Sequence, residues 1–210
     1  MENSKVFSIF AGINGAGKST LYHSLGAQNF GVRINSDEWL RENGLDWHTV
    51  ANQAEAARAV LQLQQQCLKE GRSLNRETTL VGFGILKTIL EAKELGYQIN
   101  LYFVGVDSLE LAKKRIKKRV ALGGHDVVEA SVDSRYEAIP KAMYNVLPHC
   151  DNVKFYDNTN NNLELVAYKV DGEFAVLKED CKWLKKLFSE IENVRDLDEK
   201  FHNQTYPQMM

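Results

Sequence analysis

A chain of 210 residues with 44% hydrophobic and 26% charged residues has the composition of an ordinary globular domain, which excludes a fibrous repeat and wholesale disorder. Lys+Arg 26 against Asp+Glu 28 leaves a formal net charge of -2, so no overall field draws the chain onto nucleic acid or an anionic membrane, and any basic site is local. Cys67, Cys150 and Cys181 are scattered and odd in number, which argues for buried free thiols rather than a zinc site or a disulfide framework. With no signal-peptide h-region and no apolar run near the ~20 residues of a membrane helix, the expectation is a cytoplasmic protein with neither membrane nor nucleic-acid partner.

In chain order, "VFSIFA" (6–11) reads as a buried strand, and Lys18 starts a helix. "VRIN" (32–35) is a short second strand. Between Trp47 and Glu70, Val50, Ala54, Ala57, Leu61 and Leu68 recur at helical spacing and predict an amphipathic helix ended by Gly71. "RSLNRETTL" predicts a strand, "FGILKTILEAKELG" a helix closed by Gly96, and "YQINLYFVGV" a strand. Helices follow at 109–122 and from Val127 to Leu147, where Pro140 is expected to kink or divide the second. "VKFYDN" is the last parallel-type strand, "LELVAYKVDGEFAVL" a hairpin turning at Asp171-Gly172, and 178–194 a closing helix. This alternation predicts a single α/β domain over 1–210, with a parallel central sheet flanked by helices. The core is 5–160, the C-terminal hairpin and helix 161–195, and a loose tail 196–210.

Gly12, Gly17, Lys18 and Ser19 satisfy the pattern G-x-x-x-x-G-K-[ST] between a strand and a helix, so the fold is expected to be of the P-loop NTPase, kinase type. Gly12, Asn14, Gly15, Ala16, Gly17, Lys18, Ser19 and Thr20 are expected to surround the phosphates. Small residues let backbone N–H groups close around them, the helix N-terminus adds its dipole, and Lys18 reaches the β and γ oxygens. Ser19 is the expected Mg²⁺ ligand and ATP the default nucleotide. The chain lacks an "NKxD" guanine-reading element. "ALGGHD" (121–126) only faintly resembles a transport-ATPase signature, lacking its serine and a following acidic pair.

Asp37, in "INSDEWL", falls just past the second strand, at the carboxyl-end crevice of an open parallel sheet. A kinase acting on an alcohol needs a carboxylate there to orient the hydroxyl and accept its proton. Asp37 is the candidate base; the other reading is a cap for a helix beginning near Glu38, and one residue can do both. Glu77, Thr78 and Thr79, in "NRETTL", end the third strand at the same crevice and suit a polyhydroxylated substrate. The alternative for Arg76 and Glu77 is a solvent-facing ion pair.

The run "KKRIKKR" (113–119) is the densest positive charge. At about 100° per residue, Leu109, Ala112, Ile116 and Val120 form one face, and Lys113, Lys114, Lys117 and Lys118 spread over the other as solvated charges. Arg119 falls within the apolar arc, Arg115 at its edge, and Arg135 at the margin of the stripe Val132, Ile139, Met143, Val146. Inward arginines need anions. They can close over a triphosphate or make ordinary salt bridges, the second being the preferred reading of Arg115.

"AGINGAGKSTL", "INSDEWLR", "NRETTL" and "RVALGGHDVVEASVDSRY" together resemble the zeta-toxin family of small P-loop kinases, in its shorter bacterial branch, over roughly residues 5–160. That family uses ATP and Mg²⁺ to phosphorylate a sugar hydroxyl of UDP-N-acetylglucosamine, and an antitoxin often restrains it. The resemblance implies that Lys18 is the phosphate-binding lysine, Asp37 the general base, Glu77 a substrate-binding acid, and Arg119 and Arg135 lid arginines. Asn158, in "FYDNT", matches a segment near the nucleotide, where it touches the adenosine side or merely forms an Asx turn. The chain departs from the family at Ser134-Arg135-Tyr136, where two arginines usually precede the tyrosine, and at Val128, where proline is common. No antitoxin-like helical stretch precedes the loop, so any antitoxin is expected to be a separate chain. Other readings are a kinase of another metabolite, such as a nucleotide or antibiotic alcohol, and a nucleotide-gated binding protein with slow ATP hydrolysis.

Overall fold

The apolar run at the start is β1 (Val6–Ala11), buried on both faces as a central parallel strand must be. The glycine loop leads into α1 (Lys18–Ser24), a 3-10 turn over Ala27–Phe30, β2 (Val32–Ile34) and α2 (Ser36–Glu42). Then come α3 (Val50–Glu70), β3 (Leu74–Thr78), α4 (Phe83–Glu94), β4 (Gln98–Gly105), α5 (Leu109–Ala121) and α6 (Glu129–Val146). The chain continues with β5 (Asn152–Asp157), β6 (Glu164–Val170), β7 (Glu173–Val176) and α7 (Lys182–Thr205). The computed structural model describes residues 5–122 and 129–205. Val127, Val128 and the "GGHD" glycines lie outside the described residues, as does the end of the expected tail, 206–210.

The described strands form one sheet in the order β2-β3-β1-β4-β5-β6-β7. The first five run parallel, and the hairpin β6–β7 adds antiparallel to its edge. Asp171 (φ 52°) and Gly172 (φ 84°) turn that hairpin with two left-handed residues, the geometry that matches strand twist. The chain winds to one side of β1 through β2 and β3 and to the other through β4 and β5. The carboxyl end of β1 is therefore the switch point at which ligands bind in open α/β sheets.

Packing fixes the layers. On one face Phe10 stacks on Tyr102 at 4.9 Å and meets the edges of Tyr22 at 5.3 Å and Phe30 at 5.1 Å. On the other, Phe103 meets Trp183 at 5.8 Å and Phe155 meets Phe188 at 5.5 Å, which seats α7 on the sheet. The fully buried rings among them, Phe10, Phe103 and Phe155, each contribute about 1.5–3 kcal/mol of burial free energy. The three cysteines are free and buried, and burial pushes the Cys150 thiol up to about 12 and Cys181 up to about 11.

Three sequence expectations need correction. In α3 the expected stripe faces outward: Val50 is 79% and Leu61 47% exposed, Ala54 and Ala57 are exposed too, and only its last member, Leu68, is buried. The buried side is Ala56, Gln64, Cys67 and Leu68. Alanines score alike on either face, and buried Gln64 is polar because it is hydrogen-bonded to Arg76 and Thr88. Pro140 lies inside one helix and does not divide it. The closing helix starts at Lys182, not 178, because Lys178 is held to the hairpin by Glu164 at 2.6 Å, and it runs on to Thr205 through part of the expected tail.

Candidate active site

The glycine loop is shaped by what lies against it. Gly12 (φ +138°), Gly15 (φ +82°) and Gly17 (φ +106°) all have left-handed backbones. A Cβ on Gly12 would fall 2.3 Å from the Val104 carbonyl oxygen, and one on Gly15 2.4 Å from that of Ala112. The loop is thus wedged between β4 and α5, and only glycine allows the approach. The Ala16 N–H closes the turn on the Ile13 carbonyl at 3.2 Å. Gly17 brings no capping side chain, so the first-turn N–H groups of α1 point outward as an anion cradle. Asn158 is buried behind the loop and donates through Nδ2 to the Ala16 carbonyl at 2.7 Å. Its amide braces the loop backbone. The Asx turn expected of it belongs to Asp157, whose Oδ1 accepts from the N–H and hydroxyl of Thr159.

Lys18 is buried and donates to the Ile13 carbonyl at 3.0 Å. Burial pushes its ammonium pKa down; the carboxylate of Glu77 opposes this, Arg119 and Arg135 push it further down, and Asp37 opposes again. Lys18, Asp37, Glu77, Arg119 and Arg135, all singled out in the sequence, therefore come together around one crevice. Ser19 donates to the Glu77 carboxylate, its Oγ 3.0 Å from either oxygen. Glu77 is held in turn by Arg33 Nη2 at 2.7 Å.

Arg33 is the residue that sequence reasoning missed. Its guanidinium donates to Glu38 at 2.9 Å, to Glu77 and to Asn75 at 3.1 Å, and lies 3.9 Å above the Tyr22 ring. These carboxylates raise its pKa against the opposing effect of burial. A lone arginine inside a three-residue strand carries no motif; only the inward period of β2 hinted at it.

On the facing wall, the cap of α2 is Asn35, whose side chain accepts from the N–H groups of Asp37 at 2.9 Å and Glu38 at 3.2 Å. Asp37 is thereby released from the capping role considered for it, and its exposed carboxylate lines the crevice. The ion pair considered for Arg76 and Glu77 does not form. Successive residues of β3 alternate in direction: Glu77 meets Ser19 and Arg33, and Arg76 donates to Gln64 on α3 at 2.9 Å. Thr78 and Thr79 both line the crevice, the Thr78 hydroxyl accepting from the Leu80 N–H at 3.0 Å.

Arg119 is exposed, not buried in an apolar arc, and it reaches the crevice from α5. Arg135 reaches it from α6 and donates to the loop residue Asn14 at 3.0 Å. Arg115 makes no carboxylate salt bridge among the described residues; it donates to the carbonyls of Asn158 at 2.6 Å and Thr159 at 3.1 Å and to Asn161 Oδ1 at 2.7 Å, tying α5 to the strand end behind the loop. Lys113 is not simply solvated, since it pairs with Glu129 and Asp133 on α6. Lys117 is 73% exposed, as expected.

All of this surrounds one crevice of about 860 Å³, with loop and arginines on one side and Asp37, Thr78 and Thr79 on the other. Among the described residues no cluster of three or more His, Cys, Asp or Glu could hold a metal without help from a ligand, and no helix is long and apolar enough to cross a membrane.

Known proteins resemble this chain in sequence or in fold. An uncharacterized protein of Haemophilus influenzae is 32% identical over 136 residues, 65% of this chain and 94% of that protein. Among solved structures, the AvrRxo1-ORF1:-ORF2 complex with ATP matches with a TM-score of 0.68 at 18% identity; the alignment covers 88% of this chain, which spans only 63% of the chain it matches. The PezAT chromosomal toxin–antitoxin system of Streptococcus pneumoniae matches with a TM-score of 0.58 at 18% identity, over 90% of this chain and 88% of that one. At such identities the structural likeness carries the fold alone, a mostly parallel P-loop kinase-like sheet flanked by helices. The family model described as AAA domain matches residues 8–139, a span that holds the glycine loop, Lys18, Ser19 and strands β2, β3 and β4, and the chain belongs to this AAA domain family.

Proposed function

We propose that this protein is an ATP-dependent phosphotransferase that moves the γ-phosphate to a hydroxyl of a small molecule, with the sugar of UDP-N-acetylglucosamine as its acceptor, as the resemblance to zeta toxins implies. The observation that carries the reading is Asp37: an exposed carboxylate freed from capping by Asn35, on the crevice wall across from the phosphate loop. A protein that only senses ATP has no need of such a group. ATP as donor is supported by the AvrRxo1-ORF1:-ORF2 structure with ATP.

The loop N–H groups and Lys18 hold the triphosphate, Lys18 turning from the Ile13 carbonyl toward the β and γ oxygens. Asp37 orients the acceptor hydroxyl and takes its proton as the oxygen attacks phosphorus. Arg119 and Arg135 close from α5 and α6 on the charge that develops at the transferring group. Thr78 and Thr79 offer neutral groups to sugar hydroxyls. The Ser19 hydroxyl beside the Glu77 carboxylate is a hard-oxygen pair suited to Mg²⁺, which keeps several waters and binds through one or two such groups plus phosphates. When bound, Mg²⁺ would be held by Ser19 and Glu77 and would supply positive charge against the phosphates; Arg33 holds the Glu77 carboxylate in place for it. A separate antitoxin chain and a cytoplasmic setting belong to the same reading.

The test is incubation with ATP, Mg²⁺ and a panel of nucleotide sugars, with products identified by mass spectrometry. Phosphorylated UDP-N-acetylglucosamine is expected. Phosphorylation of a different compound overturns the acceptor, and ATP hydrolysis with no phosphorylated product overturns the transferase.

A further inference from the structure

Two arginines on neighbouring strands, pointing to opposite faces of the sheet, differ in their partners. Arg33, on β2, lies between the carboxylates of Glu38 and Glu77. Arg76, on β3 opposite Ile34 in the register, makes no ion pair among the described residues. Its partner is neutral, the Gln64 amide oxygen at 2.9 Å. That amide cannot turn away, because buried Gln64 donates from its nitrogen to Thr88 Oγ1 at 3.3 Å. Arg76 is partly buried, and burial pushes its pKa down with no carboxylate to oppose it. A guanidinium does not shed its proton in a protein, so a charge placed this way is a standing cost in the free protein until an anion arrives.

We infer that Arg76 binds an oxyanion of the acceptor, so that the alcohol phosphorylated here already carries a phosphate or diphosphate. The inference rests on the phosphotransferase reading. Arg76 lines the crevice with Gln53 and Val60 of α3 and with Asp37, Thr78 and Thr79, the acceptor side. The triphosphate of ATP has its own partners in the loop, Lys18 and the arginines of α5 and α6. A planar guanidinium with only one N–H directed at Gln64 retains donors for a phosphate, the geometry for which arginine surpasses lysine. The diphosphate of a nucleotide sugar and the phosphate of a sugar phosphate both meet this requirement; a neutral sugar does not.

Two measurements on the full chain decide it. Wild-type protein saturated with a non-hydrolysable ATP analogue and Mg²⁺ is titrated with inorganic diphosphate by calorimetry, beside Arg76→Gln and Arg76→Lys. Binding weakened about 10- to 100-fold in Arg76→Gln, with Arg76→Lys intermediate, is expected; equal binding in all three, or none in the wild type, overturns the inference. Transfer is then compared for UDP-N-acetylglucosamine, N-acetylglucosamine 1-phosphate and N-acetylglucosamine. The wild type should use only the phosphorylated compounds, and Arg76→Gln should raise the acceptor KM while the ATP KM holds. Equal use of neutral N-acetylglucosamine overturns the inference and leaves the transferase standing. If no compound is phosphorylated, the transferase reading falls and the titration alone decides Arg76. Thermal melting separates a structural role: Arg76→Gln should melt at or above the wild-type temperature, since it removes an uncompensated charge. A melting temperature lowered by several degrees, with diphosphate binding intact, makes Arg76 a strut and overturns the inference.

Discussion

The two walls of the crevice are made of different materials. The donor wall is mostly backbone: three left-handed glycines pressed against the carbonyls of Val104 and Ala112 and the amide of Asn158, presenting N–H groups that any triphosphate can use. The acceptor wall is side chains: Asp37, Glu77, Arg76, Thr78 and Thr79, held by Asn35, Arg33 and Gln64. A backbone cradle recognises phosphate whatever the rest of the molecule is, and it tolerates almost no change at its glycines. A side-chain wall is tunable, and in the proposed phosphotransferase acceptor choice resides there.

The comparison breaks most sharply at its junction, Lys18. Lys18→Ala should abolish transfer, because its ammonium contacts oxygens whose charge changes during reaction; near wild-type turnover in that variant would remove the loop from the chemistry. On the acceptor wall, Asp37→Asn keeps shape and removes charge. With Asn35 as the cap, the variant should melt like the wild type and bind ATP while kcat falls ~10²–10⁴-fold. Full activity would remove Asp37 from the mechanism. Arg119→Ala and Arg135→Ala should each lower kcat about 10²-fold or more and weaken ATP binding less, since they act on developing charge; equal losses in both would make them ground-state ligands.

Smaller effects sharpen the contrast between holding and reacting. Arg33→Met leaves Glu38 and Glu77 without their cation and should cost about 2 kcal/mol, read as a lower urea midpoint at an unchanged slope. An unchanged midpoint would show that the Arg33 cluster is held by other means. Lys117→Ala, at an exposed lysine 3.5 Å from Glu129, should leave kcat unchanged and stability within about 0.5 kcal/mol. A large loss there would revive a nucleic-acid role for the basic run.

Legibility followed locality. The loop, every strand and the Asp171-Gly172 turn were readable because glycine at a fixed spacing, lysine at a helix start and continuous apolar runs act within a few residues of themselves. The face of α3 was not, since alanines fit either side and the polar member of the buried side, Gln64, is there only because Arg76 and Thr88 come from elsewhere. Nor was the cap of α2, which a side-chain oxygen two residues upstream of Asp37 supplies. Lys113 and Arg115 were assigned to solvent and to salt bridges; α6 and the turn after β5 claimed them instead.

By itself the sequence determined that this chain folds as a P-loop sheet with a phosphate cradle, because those features arise from backbone conformations that particular residues allow or forbid. Only the tertiary structure decided which carboxylate is free and which clamped, and which arginine has its anion and which lacks one among the described residues. The clamp on Glu77, for example, depends on the distance between strands whose residues Arg33 and Glu77 lie 44 positions apart in the chain.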